Sequence, residues 1–313
     1  MRAVVLDDYQ HVAEQYATWD SLPVEVVFQH EPVLTDADLV AMAGDAEIVV
    51  AMRERTAFTA DRLAQLPKLR LLVTTGPFNA AIDVDAARER GITVCGTGGL
   101  GTPTAELTWG LLIGLARHIP AEHQRMREGG WQSTVGTDLA GKTLAIAGLG
   151  RLGSQIARIG RAFSMDVIAW SANLTDERCA EVGARRVSRE EMLATADVLT
   201  IHLKLSERTH GLIGAAELDL MKPTALLVNT SRGPIIDTDA LIAALRTGRI
   251  AGAALDVFDI EPLPADSPLR RMPNVVLTPH LGYVTQDGYR IFYEHVVEDI
   301  EAWCNGEPIR EIS

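Results

Sequence analysis

Short apolar runs alternate along this chain with longer segments in which apolar residues recur every three or four positions. In the first third the runs fall at 3–6, 24–28, 48–51, 71–74 and 92–95. They are too short for helices and do not alternate with polar residues, which predicts strands buried on both faces and joined by crossover helices. A long buried helix is expected over 103–119, with Thr102 as its cap and Pro103 at its first position. A second series of runs follows at 144–147, 167–170, 198–201, 225–228, 252–255 and 275–277. Six strands with helices between them predict a complete doubly wound nucleotide-binding domain. The pattern from 286 to 303 is again helical, and no strand follows that could extend the second sheet. The expected fold is therefore α/β, with two doubly wound parallel-sheet domains and a cleft between them. A flavodoxin-like domain takes residues 1–99 plus 286–313, and a Rossmann dinucleotide-binding domain takes 100–285.

The pattern G-x-G-x-x-G occurs twice, at Gly96–Gly101 and at Gly148-Leu149-Gly150-Arg151-Leu152-Gly153. Only the second stands between a predicted strand and a predicted helix and is followed by another strand, the context a dinucleotide site requires. There, glycines let the backbone approach a diphosphate seated on the N–H groups of the helix start. The first copy reads as a hinge or turn. An acid that bonds the ribose hydroxyls of NAD is expected about 20 residues past the glycines. That place holds Trp170-Ser171-Ala172-Asn173, with neither the acid nor an arginine for a 2′-phosphate. Ser171 and Asn173 can bond a ribose, and NAD is favoured over NADP.

Composition narrows the partners. With 313 residues the chain exceeds one comfortable core, and its formal net charge of −13 disfavours nucleic acid and anionic membrane surfaces. The amino terminus turns acidic after one short apolar run, and no stretch of about 18 uncharged apolar residues occurs. No membrane partner is expected. Cys95, Cys179 and Cys304 show no metal-ligand spacing, nor do the histidines, so no metal is implied and reduced thiols in a cytoplasm fit.

Three apolar runs end in loops that carry chemistry: Arg232 in Asn229-Thr230-Ser231-Arg232-Gly233, Glu261 after Asp256-Val257-Phe258-Asp259-Ile260, and His280 in Thr278-Pro279-His280-Leu281-Gly282. Strand ends of an open α/β sheet gather such loops at one crevice. A fixed cation for charged oxygens, a proton donor for a carbonyl and an acid to orient that donor suit a keto acid and hydride transfer.

With these motifs, and with His202-Leu203-Lys204 through Thr209, Met221-Lys222-Pro223-Thr224-Ala225 and Ala254–Phe258, the chain resembles the D-isomer-specific 2-hydroxyacid dehydrogenase family over nearly its whole length. The resemblance implies a homodimer that uses NAD or NADP, with His280 as general acid/base, Glu261 bonded to its far ring nitrogen, and Arg232 binding and polarising the substrate. It also implies cofactor contacts at Gly148, Gly150, Arg151, Leu152, Gly153, Ser171, Asn173, His202, Leu203, Thr209, Thr230, Ser231, Asp256 and Gly282. Lys204 stands where a proline is more usual in the family. The turn at Thr75-Gly76-Pro77-Phe78 resembles the family's substrate-carboxylate loop, with Phe78 in place of a second glycine. Pro77 has no N–H, so the amides of Gly76 and Phe78 are the expected donors. Arg53 follows a strand and is a candidate for the same anion, while Arg55 is expected in solvent. Two alternatives share the scaffold: a dinucleotide-sensing corepressor-like binding protein, and a formate- or phosphite-type dehydrogenase.

Overall fold

A computed structural model describes residues 1–312. The chain divides into two compact units, Met1–Leu100 with Val284–Ser313, and Gly101–Tyr283. The first unit opens with β1 (Arg2–Val5), β2 (Glu25–Phe28), α1 (Asp36–Ala43), β3 (Ile48–Ala51), α2 (Ala60–Ala64), β4 (Leu71–Thr74), α3 (Val84–Glu89) and β5 (Thr93–Gly96). Its strands pair in parallel in the order β2-β1-β3-β4-β5, the flavodoxin-like arrangement expected. Every residue of β3 and β4 is buried, which explains their unbroken apolar runs. The helices start on side-chain caps: Thr35 and Asp38 form a capping box on α1, while Thr59 and Asp83 cap α2 and α3.

The second unit begins with α4 (Pro103–Ala116) and α5 (Ile119–Arg127). One helix over 103–119 was expected. It divides because Pro120 has no N–H to give the Ala116 carbonyl, which instead accepts from Thr137 at 2.8 Å, and His118 turns left-handed at φ 53°. Pro103 does occupy the start of α4, but the Thr102 side chain makes no capping bond.

There follow β6 (Thr143–Ala147), α6 (Arg151–Ala162), β7 (Asp166–Trp170), α7 (Asp176–Ala180), β8 (Arg185–Arg186), α8 (Arg189–Thr195), β9 (Val198–Ile201), α9 (Ala215–Leu220), β10 (Leu226–Asn229), α10 (Thr238–Thr247), β11 (Gly252–Leu255) and β12 (Val275–Leu277). The parallel order β12-β11-β10-β9-β6-β7-β8 is that of a doubly wound Rossmann sheet. Among the described residues it has seven strands where six were expected. The extra one, β8, is a pair of exposed arginines with no apolar signal. Alternate residues of each strand serve opposite faces: Ala145 and Ala147 pack with Met192, Leu218 and Leu241, whereas Leu144 and Ile146 pack with Trp109, Leu112 and Ile156.

The chain ends with α11 (Gln286–Cys304), which packs on β4 in the first unit. Beyond it, the backbone runs antiparallel to β5: Gly96 N–H donates to Arg310 O at 3.0 Å, and Ile312 N–H to Val94 O at 2.8 Å. Arg310 anchors this segment by donating to the wholly buried Asp299 at 2.8 Å and pairing with Glu298. Among the described residues no helix is long and apolar enough to cross a membrane, and no cluster of three or more potential ligands could hold a metal.

Candidate functional site

The turn after β6 is built for close approach. Gly148 has φ +101°, and a Cβ there would stand 2.6 Å from the His202 carbonyl oxygen. A Cβ on Gly153 would stand 2.1 Å from the Gly148 carbonyl oxygen, so only glycine lets α6 start against the turn. Gly150, by contrast, faces open space, with nothing within 4 Å of where its Cβ would be. Arg151 and Leu152 follow it in the first turn of α6, which carries no acidic side chain and no side-chain cap. A helix start with no acid and no side-chain cap, beside a residue whose missing Cβ leaves open space, fits a dinucleotide diphosphate. Beside this turn the His202 ring holds Thr200 Oγ1 with Nε2 at 2.8 Å, and burial pushes its pKa down to about 3, so the ring is neutral. Its Nδ1 is buried with no hydrogen-bond partner among the described residues, an orphaned polar atom that a bound cofactor can satisfy.

The other expected cofactor residues lie at the same sheet end with differing freedom. Ser171 is half-buried and Asn173 exposed just past β7, and Leu203 packs under Gly148. Thr209 Oγ1 closes its own loop, taking the Ser206 N–H at 2.8 Å and reaching Lys204 O at 2.7 Å. Thr230 is tied to Thr108 of α4 through their hydroxyls at 2.8 Å, and Ser231 donates to Ile201 O at 2.9 Å. The first glycine motif sits between β5 and α4, where Gly98 N–H donates to His295 Nδ1 at 3.0 Å.

β10, β11 and β12 are adjacent and parallel, so the loops leaving them emerge together. Asp256, fully buried at the end of β11, organises the third loop. It accepts from Thr278 Oγ1 at 2.5 Å, Leu281 N–H at 2.7 Å and Gly282 N–H at 2.9 Å, while its carbonyl takes the His280 N–H at 2.8 Å. Both carboxylate oxygens, expected at the cofactor, are thus engaged by main chain and Thr278. Burial raises the Asp256 pKa against the lowering effect of these bonds. Gly282 is likewise fixed at its other end, its carbonyl accepting from Thr104 Oγ1 at 2.7 Å. His280, at φ 53°, sets its Nδ1 2.6 Å from Glu261 Oε2, and Glu261 Oε1 takes the Phe258 N–H at 2.8 Å. The Tyr283 ring meets the imidazole edge-on at 5.4 Å. Nδ1 is thus engaged by Glu261, and Nε2 is the other ring nitrogen. Arg232 is half-buried on the neighbouring loop, its Nη1 donating to Ser231 O at 2.7 Å.

In the first unit, Arg53 lies across Gly76, which has φ +90°: a Cβ on Gly76 would meet the guanidinium at 1.6 Å. Arg53 Nη1 donates to Thr75 O at 3.1 Å, and Asn79 Nδ2 to Arg53 O at 2.5 Å. The Gly76 N–H, expected as a substrate donor, goes to Thr97 Oγ1 at 2.6 Å, and the Phe78 side chain is half exposed. Arg55 is not simply solvated: it donates to Asp7 O at 2.7 Å and stacks 4.4 Å over the Tyr9 ring. Sequence reasoning missed Thr97 and Thr108, whose partners Gly76 and Thr230 lie in other elements and leave no mark in local spacing.

Fold and glycine turn together define a dinucleotide-binding α/β protein. The family described as D-isomer specific 2-hydroxyacid dehydrogenase, NAD binding domain, matches residues 109–282. The chain is 42% identical to the glyoxylate reductase of Aeropyrum pernix over 79% of this chain and 77% of that protein. It is 33% identical to the D-3-phosphoglycerate dehydrogenase of Archaeoglobus fulgidus over 99% of this chain but 58% of that one. The crystal structure of a phosphoglycerate oxidoreductase from Vibrio cholerae O395 superposes with a TM-score of 0.93 at 34% identity, covering 98% of this chain and 99% of that chain. The chain belongs to the D-isomer specific 2-hydroxyacid dehydrogenase family, and is an NAD-dependent oxidoreductase of it.

Proposed function

We propose that the protein reduces small 2-keto acids, or oxidises the matching D-2-hydroxy acids, with Arg232, Glu261 and His280 as the working groups. The observation that carries this reading is the 2.6 Å contact from Glu261 to His280 Nδ1, on a loop held by Asp256 and beside the loop bearing Arg232. Glu261 fixes the ring so that Nε2 delivers a proton to the substrate's C2 oxygen in reduction and removes it in oxidation. The Arg232 fork takes the substrate carboxylate and the carbonyl oxygen together, stabilising the charge that develops there. The bound nicotinamide supplies or accepts the hydride. NAD is the favoured form, because no arginine follows Trp170 at Ser171-Ala172-Asn173 for a 2′-phosphate, and Lys204 keeps NADP as the alternative. In the first unit Arg53 is the group we assign to substrate recognition, since the Gly76 N–H is taken by Thr97. Similarity to a glyoxylate reductase makes glyoxylate, followed by pyruvate and hydroxypyruvate, the first substrates to try.

A homodimer belongs to the same reading. Helix α5 buries none of its side chains, and Ile119 and Met126 on it, with Trp131 (69% exposed) and Val135 (93% exposed) after it, are large apolar side chains left in the open.

The test is oxidation of NADH and NADPH followed at 340 nm with a panel of 2-keto acids. Turnover is expected for at least one small member, and Arg232→Ala is expected to lower it about 10²–10³-fold with little change in NADH affinity. Wild-type rates in that variant on every accepted substrate would overturn the assignment.

A further inference from the structure

Helix α7 sends one side chain back to the glycine turn. Arg178 Nη2 donates to Ser154 Oγ at 2.7 Å and Nε to Leu149 O at 3.3 Å, while Nη1 pairs with Glu181. Ser154, in the first turn of α6, is buried and donates its own N–H to Gly150 O at 2.9 Å. One guanidinium therefore ties together the second residue of the glycine motif, the residue just after it, and the segment that follows β7. The glycines have no side chains with which to hold the turn themselves. We propose that Arg178 is a positioning residue for the dinucleotide diphosphate: by fixing the Leu149 carbonyl it aims the Gly150 N–H into the binding space.

The argument is one of peptide geometry. In a planar trans peptide the carbonyl of one residue and the N–H of the next point in opposite directions. Drawing the Leu149 oxygen toward Arg178 therefore turns the Gly150 N–H away from α7, on a residue whose missing Cβ leaves open space beside it. Without that restraint the 149–150 peptide can rotate, since Gly150 on one side of it tolerates wide backbone change. A donor that must be ordered on binding costs affinity that a preset donor does not. The planar fork also matters. Its N–H groups reach two acceptors on different elements at once, which a single ammonium cannot do in the same geometry. The pair with Glu181 is exposed and contributes little by itself.

The inference rests on the dinucleotide reading above, and its test separates the two. The full-length chain is titrated with NADH by nucleotide fluorescence, and with ADP-ribose and adenosine by calorimetry. Arg178→Gln is expected to weaken NADH and ADP-ribose about tenfold or more, ~1.4 kcal/mol, and to leave adenosine, which has no phosphate, within about twofold. Arg178→Lys should recover part of the loss. Ser154→Ala, which removes one of the two anchors, should show a smaller loss of the same kind and carries the test if Arg178→Gln does not fold. NADH affinity unchanged in the Arg178 variants, or adenosine weakened as much as ADP-ribose, would overturn the proposal. A wild-type chain that binds none of the three overturns the dinucleotide reading itself.

Discussion

The imidazole of His280 is held from two directions, its main chain by Asp256 and its ring by Glu261. That the two side chains lie in loops closing apolar runs is readable from residue order, whereas the main-chain duty of Asp256 is not, because its partners are set by how β11 and β12 pair. Buried ionisable groups elsewhere leave a measurable mark. Burial, opposed by Arg310, pushes the Asp299 carboxyl from 3.8 up to about 7. Folded Asp299 therefore holds its proton more tightly than unfolded Asp299. Its stabilising contribution is complete below about pH 4 and is lost as pH rises through about 7. Urea unfolding across that window should show stability falling by up to ~1.4 kcal/mol per pH unit from this group, and Asp299→Asn should flatten the slope.

At the scale of elements, the strands were legible because burial on both faces leaves continuous apolar runs, and β3, β9, β11 and β12 fall where those runs lie. The division between α4 and α5 was hidden because the apolar periodicity of 103–119 does not register a proline that withholds one hydrogen bond. β8 was hidden because two arginines carry no strand signal. The glycines of the β6–α6 turn separate stability from binding. Gly150→Ala meets no atom and should fold with an unchanged thermal midpoint, yet weaken NADH at least tenfold (~1.4 kcal/mol) by filling the approach. Gly153→Ala collides with backbone and should lower the midpoint as well, by an amount corresponding to about 1–3 kcal/mol. Differential scanning calorimetry with and without NADH distinguishes the two.

For the whole molecule, two parallel-sheet units were readable from the two series of apolar runs, and so was the family, because its motifs are spread along the chain. The apolar surface at and after α5 was not readable, since Trp131 and Val135 lie outside any helical period. If a second copy covers it, light scattering should give twice the 33.9 kDa of one chain. The double variant Trp131→Glu, Val135→Glu should shift the mass toward one chain.

The segment after α11 does more than end the first unit. β5 is the outer strand of its sheet, and residues 310–312 occupy the row of main-chain groups it would otherwise present to solvent. An uncovered flat edge recruits other strands. A chain cut back before Arg310 would uncover that template and leave Asp299 without its cation, so it should self-associate on gentle warming, seen as rising turbidity, while the intact chain stays clear.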